Sequence, residues 1–256
     1  VAQYSSSSIG YLLVGQYNLT NVSSKLEDGV EAPIADVTPF GVGTQVYGRT
    51  AFKKYSISGH EGWYDDAADS INAAMVGMAS TEEVFMMAYQ GNTAGKYAVC
   101  AGGAIRSGYK RGFEVGQYHK ASFDLSISGV RDEAIILAPL QVYTGNGNTE
   151  GAYLDLNAYG GSGSPSTSLG CTLYVCITSF TQSTSSGLTI TFEDSTTTGT
   201  FLSQCATANI TAPGITGYKV VSADMTVNRY IALKWAWGGT VGSAAATFTA
   251  AVAINR

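Results

Sequence analysis

The chain has 256 residues, of which 45% are apolar and only 13% charged, with 31 glycines and a formal net charge of −5. That length suits one large all-β unit or two smaller ones with a substantial core, and a charged share about half the usual ~25% favours surfaces that meet other protein. The acidic balance disfavours a nucleic-acid grip, which needs a clustered basic face.

Residues 1–10 are polar and serine-rich and read as an N-terminal arm. A strand at Tyr11–Val14 follows. Residues 25–43 carry Lys25, Glu27, Asp28, Glu31, Pro33, Pro39 and Phe40 without a sustained period, which predicts a long loop, an element usually functional in a compact domain. Alternation resumes over 44–58. A helix is predicted over 64–78: Asp65, Asp66 and Asp69 crowd its first turns, where carboxylates favour the dipole. Ala67, Ile71, Ala74, Met75 and Met78 then form its apolar stripe.

Strands are expected at Glu83–Gln90 and Tyr97–Ile105. A polar, basic loop is expected over 106–120, with Arg106, Lys110, Arg111 and Lys120 among Tyr109, Phe113 and Tyr118. Aromatics interleaved with cations are the pairing that single-strand binders use, but Glu114 lies among these cations, and a solvated loop or subunit contact is the plainer reading. Phe123, Leu125 and Ile127 mark one face of the next strand. Pro139 confines the strand Glu133–Tyr143 to an edge or a bulge. The glycine–serine tract 160–168 is the best candidate boundary, separating a unit over 11–160 from a sandwich-like unit over 161–256.

Beyond it, Leu173, Val175 and Ile177 share one strand face, and Leu188, Ile190 and Phe192 another. The last thirty residues read as two adjacent strands. Ile231, Leu233, Trp235 and Trp237 alternate with polar or small residues in the first, as do Ala246, Phe248, Ala250, Val252 and Ile254 in the second. Gly238, Gly239, Gly242 and Ser243 supply turn chemistry between them.

Chemistry-bearing patterns are sparse. Cys171 and Cys176 lie five apart within one predicted strand, so they face opposite ways and a local disulfide or metal pair between them is not expected. With Cys100, Cys205 and two histidines completing the set, a zinc site is not expected. His60, Glu61, Trp63 and Tyr64 precede the three aspartates; a metal or acid–base role is conceivable there, but helix capping accounts for the aspartates without an unseen partner. The Gly161–Ser164 run lacks the strained elbow of a serine nucleophile, and no phosphate loop occurs. The reading is of a chain that is not an enzyme, with no catalytic residues, metal or cofactor. Neither a leader peptide nor a membrane anchor is expected.

The segments YLLVGQYNLTNVSSKLEDGVEA, GWYDDAADSINAAM, GCTLYVCITSFTQSTSSGLTITFEDS and MTVNRYIALKWAWGGTVGSAAATFTAAVAINR together resemble the tail tube (major tail) proteins of long, flexible-tailed bacteriophages. The resemblance implies a mainly β fold, a β-barrel or β-sandwich flanked by one helix. It implies a homo-oligomer, as hexameric rings or trimeric pseudo-hexamers, stacked into a tube with other phage tail proteins. DNA would pass through the lumen without specific binding. The expected location is the virion tail, after assembly in the host cytoplasm. By position, Val1 and Tyr4 in the arm and Lys25, Glu27, Asp28, Glu31, Pro33 and Phe40 in the loop would contact neighbouring subunits or rings. An alternative is a host- or glycan-binding β-sandwich of the tail tip or a decoration protein, with Trp63, Trp235 or Trp237 as its platform.

Overall fold

The structure, a computed structural model, describes residues 9–31, 34–36, 47–49, 53–64, 71–78, 81–159, 169–181, 185–211, 218–222, 225–239 and 243–254. The strands in chain order are β1 (Leu12–Val14), β2 (Tyr17–Asn18), β3 (Ser23–Glu31), β4 (Ile34–Asp36), β5 (Tyr47–Arg49) and β6 (Lys54–Trp63). After the helix α1 (Ile71–Gly77) come β7 (Glu83–Met87), β8 (Tyr97–Gly112), β9 (Lys120–Ile127) and β10 (Arg131–Thr144). The remainder are β11 (Gly147–Asn148), β12 (Leu154–Asp155), β13 (Cys171–Thr181), β14 (Ser185–Ser195), β15 (Leu202–Ala206), β16 (Tyr218–Ser222), β17 (Tyr230–Gly239) and β18 (Ala245–Ile254). The protein is mainly β with one helix among the described residues, as its alternating sequence predicts.

One eleven-stranded antiparallel sheet organises the chain, and β8 is its junction. The first half of β8 lies between β10 and β7, while its second half pairs with β9. From β10 the sheet runs through β18 and β13 to β16; from β7 it runs through β1 to β2; from β9 it runs through β6 to β3. The period of two splits β8 between two cores: Val99 and Ala101 face one, Ala98 and Cys100 the other. Strands from both sides of the 160–168 tract share this sheet, since β10 pairs with β18.

Three apolar clusters follow. The largest lies between the β10–β18–β13 part of the sheet and a second, five-stranded sheet ordered β11-β17-β14-β15, with β12 also on β17. Here Leu173, Val175, Ile177, Phe248 and Val252 meet Leu188, Ile190, Phe192, Ile231, Leu233 and Trp237. The opposite face of the same strands, through Tyr174, Cys176, Ala251 and Ala253, packs on Tyr11 and on Leu13, Val84 and Met86 of β1 and β7. The third cluster fills the roll formed by β1, β7, β8, β9 and β6, closed by Ile71, Ala74, Met75 and Met78 of α1. Each fully buried aliphatic or aromatic side chain contributes ~1.5–3 kcal/mol, so β18, buried on both faces, anchors two cores at once.

Four expectations need correction. Of the predicted loop over 25–43, residues 25–31 belong to strand β3, paired along β6, and Ile34–Asp36 is β4, paired with β5; 32–33 and 37–43 lie outside the described residues. Its charges hid the strand because β3 is an edge with one wet face. The basic stretch 106–120 is strand as far as Gly112 and again from Lys120, leaving only a short tip. The helix predicted over 64–78 is present over Ile71–Gly77 and does not include Tyr64, while 65–70, with Asp65, Asp66 and Asp69, lie outside the described residues. The last two strands do not pair: β17 belongs to the small sheet and β18 to the large one. Pro139 behaves as its chemistry requires, since the β10–β18 register slips on both sides of Ala138.

Candidate assembly interface

The β8–β9 hairpin ends in a protruding aromatic tip. Its last strand pair is Gly112 with Lys120, and every residue from Arg111 to Lys120 is exposed. Phe113 is 59% exposed, Tyr118 83% and Val115 102%, with Trp63 beside them at 48%. The rings brace one another edge to face: Trp63 on Tyr118 at 5.8 Å, Tyr64 on Phe113 at 5.7 Å, Phe113 on His119 at 4.8 Å. Edge-to-face contacts fix aromatic side chains with little loss of surface. The Arg111 guanidinium lies 6.0 Å from the Tyr64 ring centre. Exposed apolar surface concentrated at one tip marks a contact site.

A cleft opens where the roll fails to close. The sheet passes from β3 through β6, β9, β8 and β7 to β1 and β2, yet neither β1 nor β2 pairs with β3 among the described residues. The gap holds a cleft of about 270 Å³ with Ile9, Leu12, Leu26 and Met87 on its apolar walls and Thr20, Ser23, Ser24 and Lys25 on its polar ones. Hydrogen bonds set the polar wall. Leu12 N donates to Thr20 Oγ1 at 2.8 Å, and Ser24 Oγ donates to the Glu61 carbonyl at 2.9 Å. Lys25 pairs with Glu27 at 2.8 Å on the open surface.

Behind the cleft, Ser23 Oγ lies 2.8 Å from His60 Nε2. The imidazole is 1% exposed and stacks on Phe123 at 3.9 Å, and its Nδ1 is buried without a hydrogen-bond partner. Burial holds its pKa down at about 4, although Asp124 pulls the other way. This histidine is thus a neutral packing group. Gly62 makes the arrangement possible, since a Cβ there would fall 2.3 Å from the Val22 carbonyl and 2.8 Å from the His60 ring.

Of the residues singled out in the sequence, Val1, Tyr4, Pro33 and Phe40 lie outside the described residues, with the three aspartates. Lys25, Glu27, Asp28 and Glu31 all fall on β3, and only Lys25 lines the cleft. Asp28 is turned inward to a two-point ion pair with Arg131 at the start of β10. The basic trio separates. Arg106 donates to the Met75 carbonyl of α1, where a cation suits the helix C-terminus, whereas Lys110 and Arg111 are exposed near the tip. Trp237 is 4% exposed and Trp235 packs on the largest core, leaving Trp63 alone as an outward tryptophan. The sequence reading missed Val115 and the apolar half of the cleft. Period-two counting could have found the tip by extending β8 and β9 toward each other; the cleft depends on long-range closure and leaves no local signal.

The described residues hold no cluster of three or more side chains suited to a metal ion, and no helix among them is long and apolar enough to cross a membrane. The four cysteines are free thiols. Cys171 faces the inter-sheet core and Cys176 the opposite one, as their spacing predicts.

No family model matches the chain, and no curated protein matches it. Among solved structures it is similar to the tail of an empty GTA particle with C6 symmetry, at a TM-score of 0.36 and 14% identity over 44% of this chain and 81% of that one. It is also similar to the Dit (gp 19.1) protein of SPP1, described as a paradigm of the hub adsorption apparatus in phages infecting Gram-positive hosts. That likeness has a TM-score of 0.33 and 10% identity over 95% of this chain and 99% of the other. At these levels the function has to be argued from the chain itself.

Proposed function

We propose that the chain is a structural subunit of a bacteriophage tail tube, which self-assembles into stacked rings whose lumen conducts the genome. The sequence resemblance covers most of the chain in order, and the mainly β, single-helix architecture is the one it implies. The observation that carries the reading is the unclosed roll. A sheet of eleven strands ends at β3, β2 and β16 without described partners on their outer sides, and such edges are stable in solution when something covers or blunts them. Sister copies cover them here, and the symmetry of the contact sets ring closure. A net charge of −5 suits a conduit through which polyanionic DNA must slide, because each neutralised phosphate adds affinity that would slow passage.

Negative-stain microscopy of the concentrated protein tests this. Stacked rings or hollow rods are expected; discrete particles of one to three copies that bind glycan would favour the alternative of a tail-tip or decoration protein. Trp237 is buried and Trp235 half-buried against the largest core, which leaves Trp63 as the exposed aromatic platform that alternative would use.

A further inference from the structure

The aromatic tip and the β1–β3 cleft are surfaces of matching chemistry on the same chain. The tip presents Phe113, Val115 and Tyr118 with Glu114 among them, all exposed. The cleft presents apolar walls, a row of hydroxyls and the Lys25 ammonium. We infer that the β8–β9 tip of one copy seats in the β1–β3 cleft of a second copy, a knob-and-hole contact that joins subunits head to tail. The inference rests on the assembly reading above and names the two surfaces that meet.

Size allows a side-chain occupant. At about 270 Å³ the cleft has room for side chains inserted from the tip. Polarity matches in three places. The apolar walls cover Val115 and the exposed part of Phe113, which otherwise face water. The Tyr118 hydroxyl finds Ser24 Oγ, whose own proton is committed to the Glu61 carbonyl and whose lone pairs can accept. Glu114 finds Lys25, which keeps donors beyond the one given to Glu27.

Glu114 also decides between partners. Lys110, Arg111 and Lys120, which flank the tip, would welcome an anionic membrane or a phosphate backbone. A carboxylate amid the inserting aromatics would be repelled by either. Because knob and hole are different surfaces, the contact is heterologous, and repetition yields a ring when the rotation closes.

The test uses Val115→Asp to spoil the knob and Lys25→Glu to spoil the hole, both at exposed positions, with circular dichroism and the melting midpoint confirming the fold. Sedimentation velocity should show each variant's self-association weakened by roughly tenfold or more, the scale of a hot-spot loss. Glu114→Lys should weaken it too, and Glu114→Lys combined with Lys25→Glu should restore most of it. A one-to-one mixture of Val115→Asp and Lys25→Glu chains should give capped pairs through the one intact knob and hole. If wild-type rings form and both single variants form them at the same concentration, this contact is wrong while the tube reading stands. If wild type stays a single chain at every concentration, the tube reading falls and takes the contact with it. If Val115→Asp assembles normally but loses binding to phosphatidylserine vesicles, the tip serves a membrane and the inference is overturned.

Discussion

Arg131 grips Asp28 across 103 residues of sequence through both Nε and Nη2, tying edge strand β3 to the start of β10. The two side chains are only 21% and 17% exposed, so the pair is shielded from water and salt. Within the sheet β3 pairs with β6, and this ion pair ties its middle to the sheet junction.

Removing one partner therefore leaves the other poorly compensated. Asp28→Ala should cost about 2 kcal/mol in urea unfolding, the range for a lost hydrogen bond to a charged group. Glu27→Ala, which breaks only the open Lys25 pair, should give a midpoint indistinguishable from wild type. A similar loss in both variants would mean that the Arg131 contact contributes no more than a surface pair.

His60 predicts an acid limit. Its pKa falls from 6.5 to about 4 because burial opposes the charge. Above 6.5 both folded and unfolded chains hold it neutral, and no penalty arises. Between 6.5 and 4 the unfolded chain takes up a proton that the folded chain refuses, so stability declines as pH falls, by about 3 kcal/mol in all. Unfolding free energies measured from pH 7.5 to 4.5 should show this slope, and His60→Phe should flatten it. An equal slope in that variant would locate the titration elsewhere.

Gly147 tests the packing of the small sheet. A Cβ at this position would fall 2.4 Å from Cζ2 of Trp235, whose Nε1 donates to the Gly145 carbonyl at 3.1 Å. Trp235 also meets Tyr143 edge to face at 4.8 Å. Gly147→Ala should push the indole aside and destabilise by ~1–3 kcal/mol, the usual overpacking cost, with a change in near-ultraviolet dichroism. Wild-type stability with an unchanged spectrum would contradict the close approach.

What could be read in the sequence follows the physics of each element. Strands buried on one or both faces announced themselves: Leu173, Val175 and Ile177 point to one core, and Phe248 and Val252 meet them there. Pro139 forecast the irregularity in β10 from its missing donor. Edge strands were harder. The charges that keep β3 soluble are those that make Lys25–Glu31 look like a loop. Pairing was harder again, since alternation gives the faces of β17 and β18 but not their partners. The same two strands sit in different sheets and meet only through the side chains between them. The cleft lies beyond local reading because it is made by residues distant in sequence, such as Leu12 with Leu26 and Met87.

In the proposed tube, sister copies close the open side of the rolled sheet. Amide hydrogen exchange, read on the same sample dilute and concentrated into rings, addresses it directly. Assembly should slow exchange over Ser23–Leu26 and over the 113–118 tip by roughly tenfold or more, while β18, buried in either state, stays equally protected. Rings in which both segments exchange as fast as in the single chain would contradict the account.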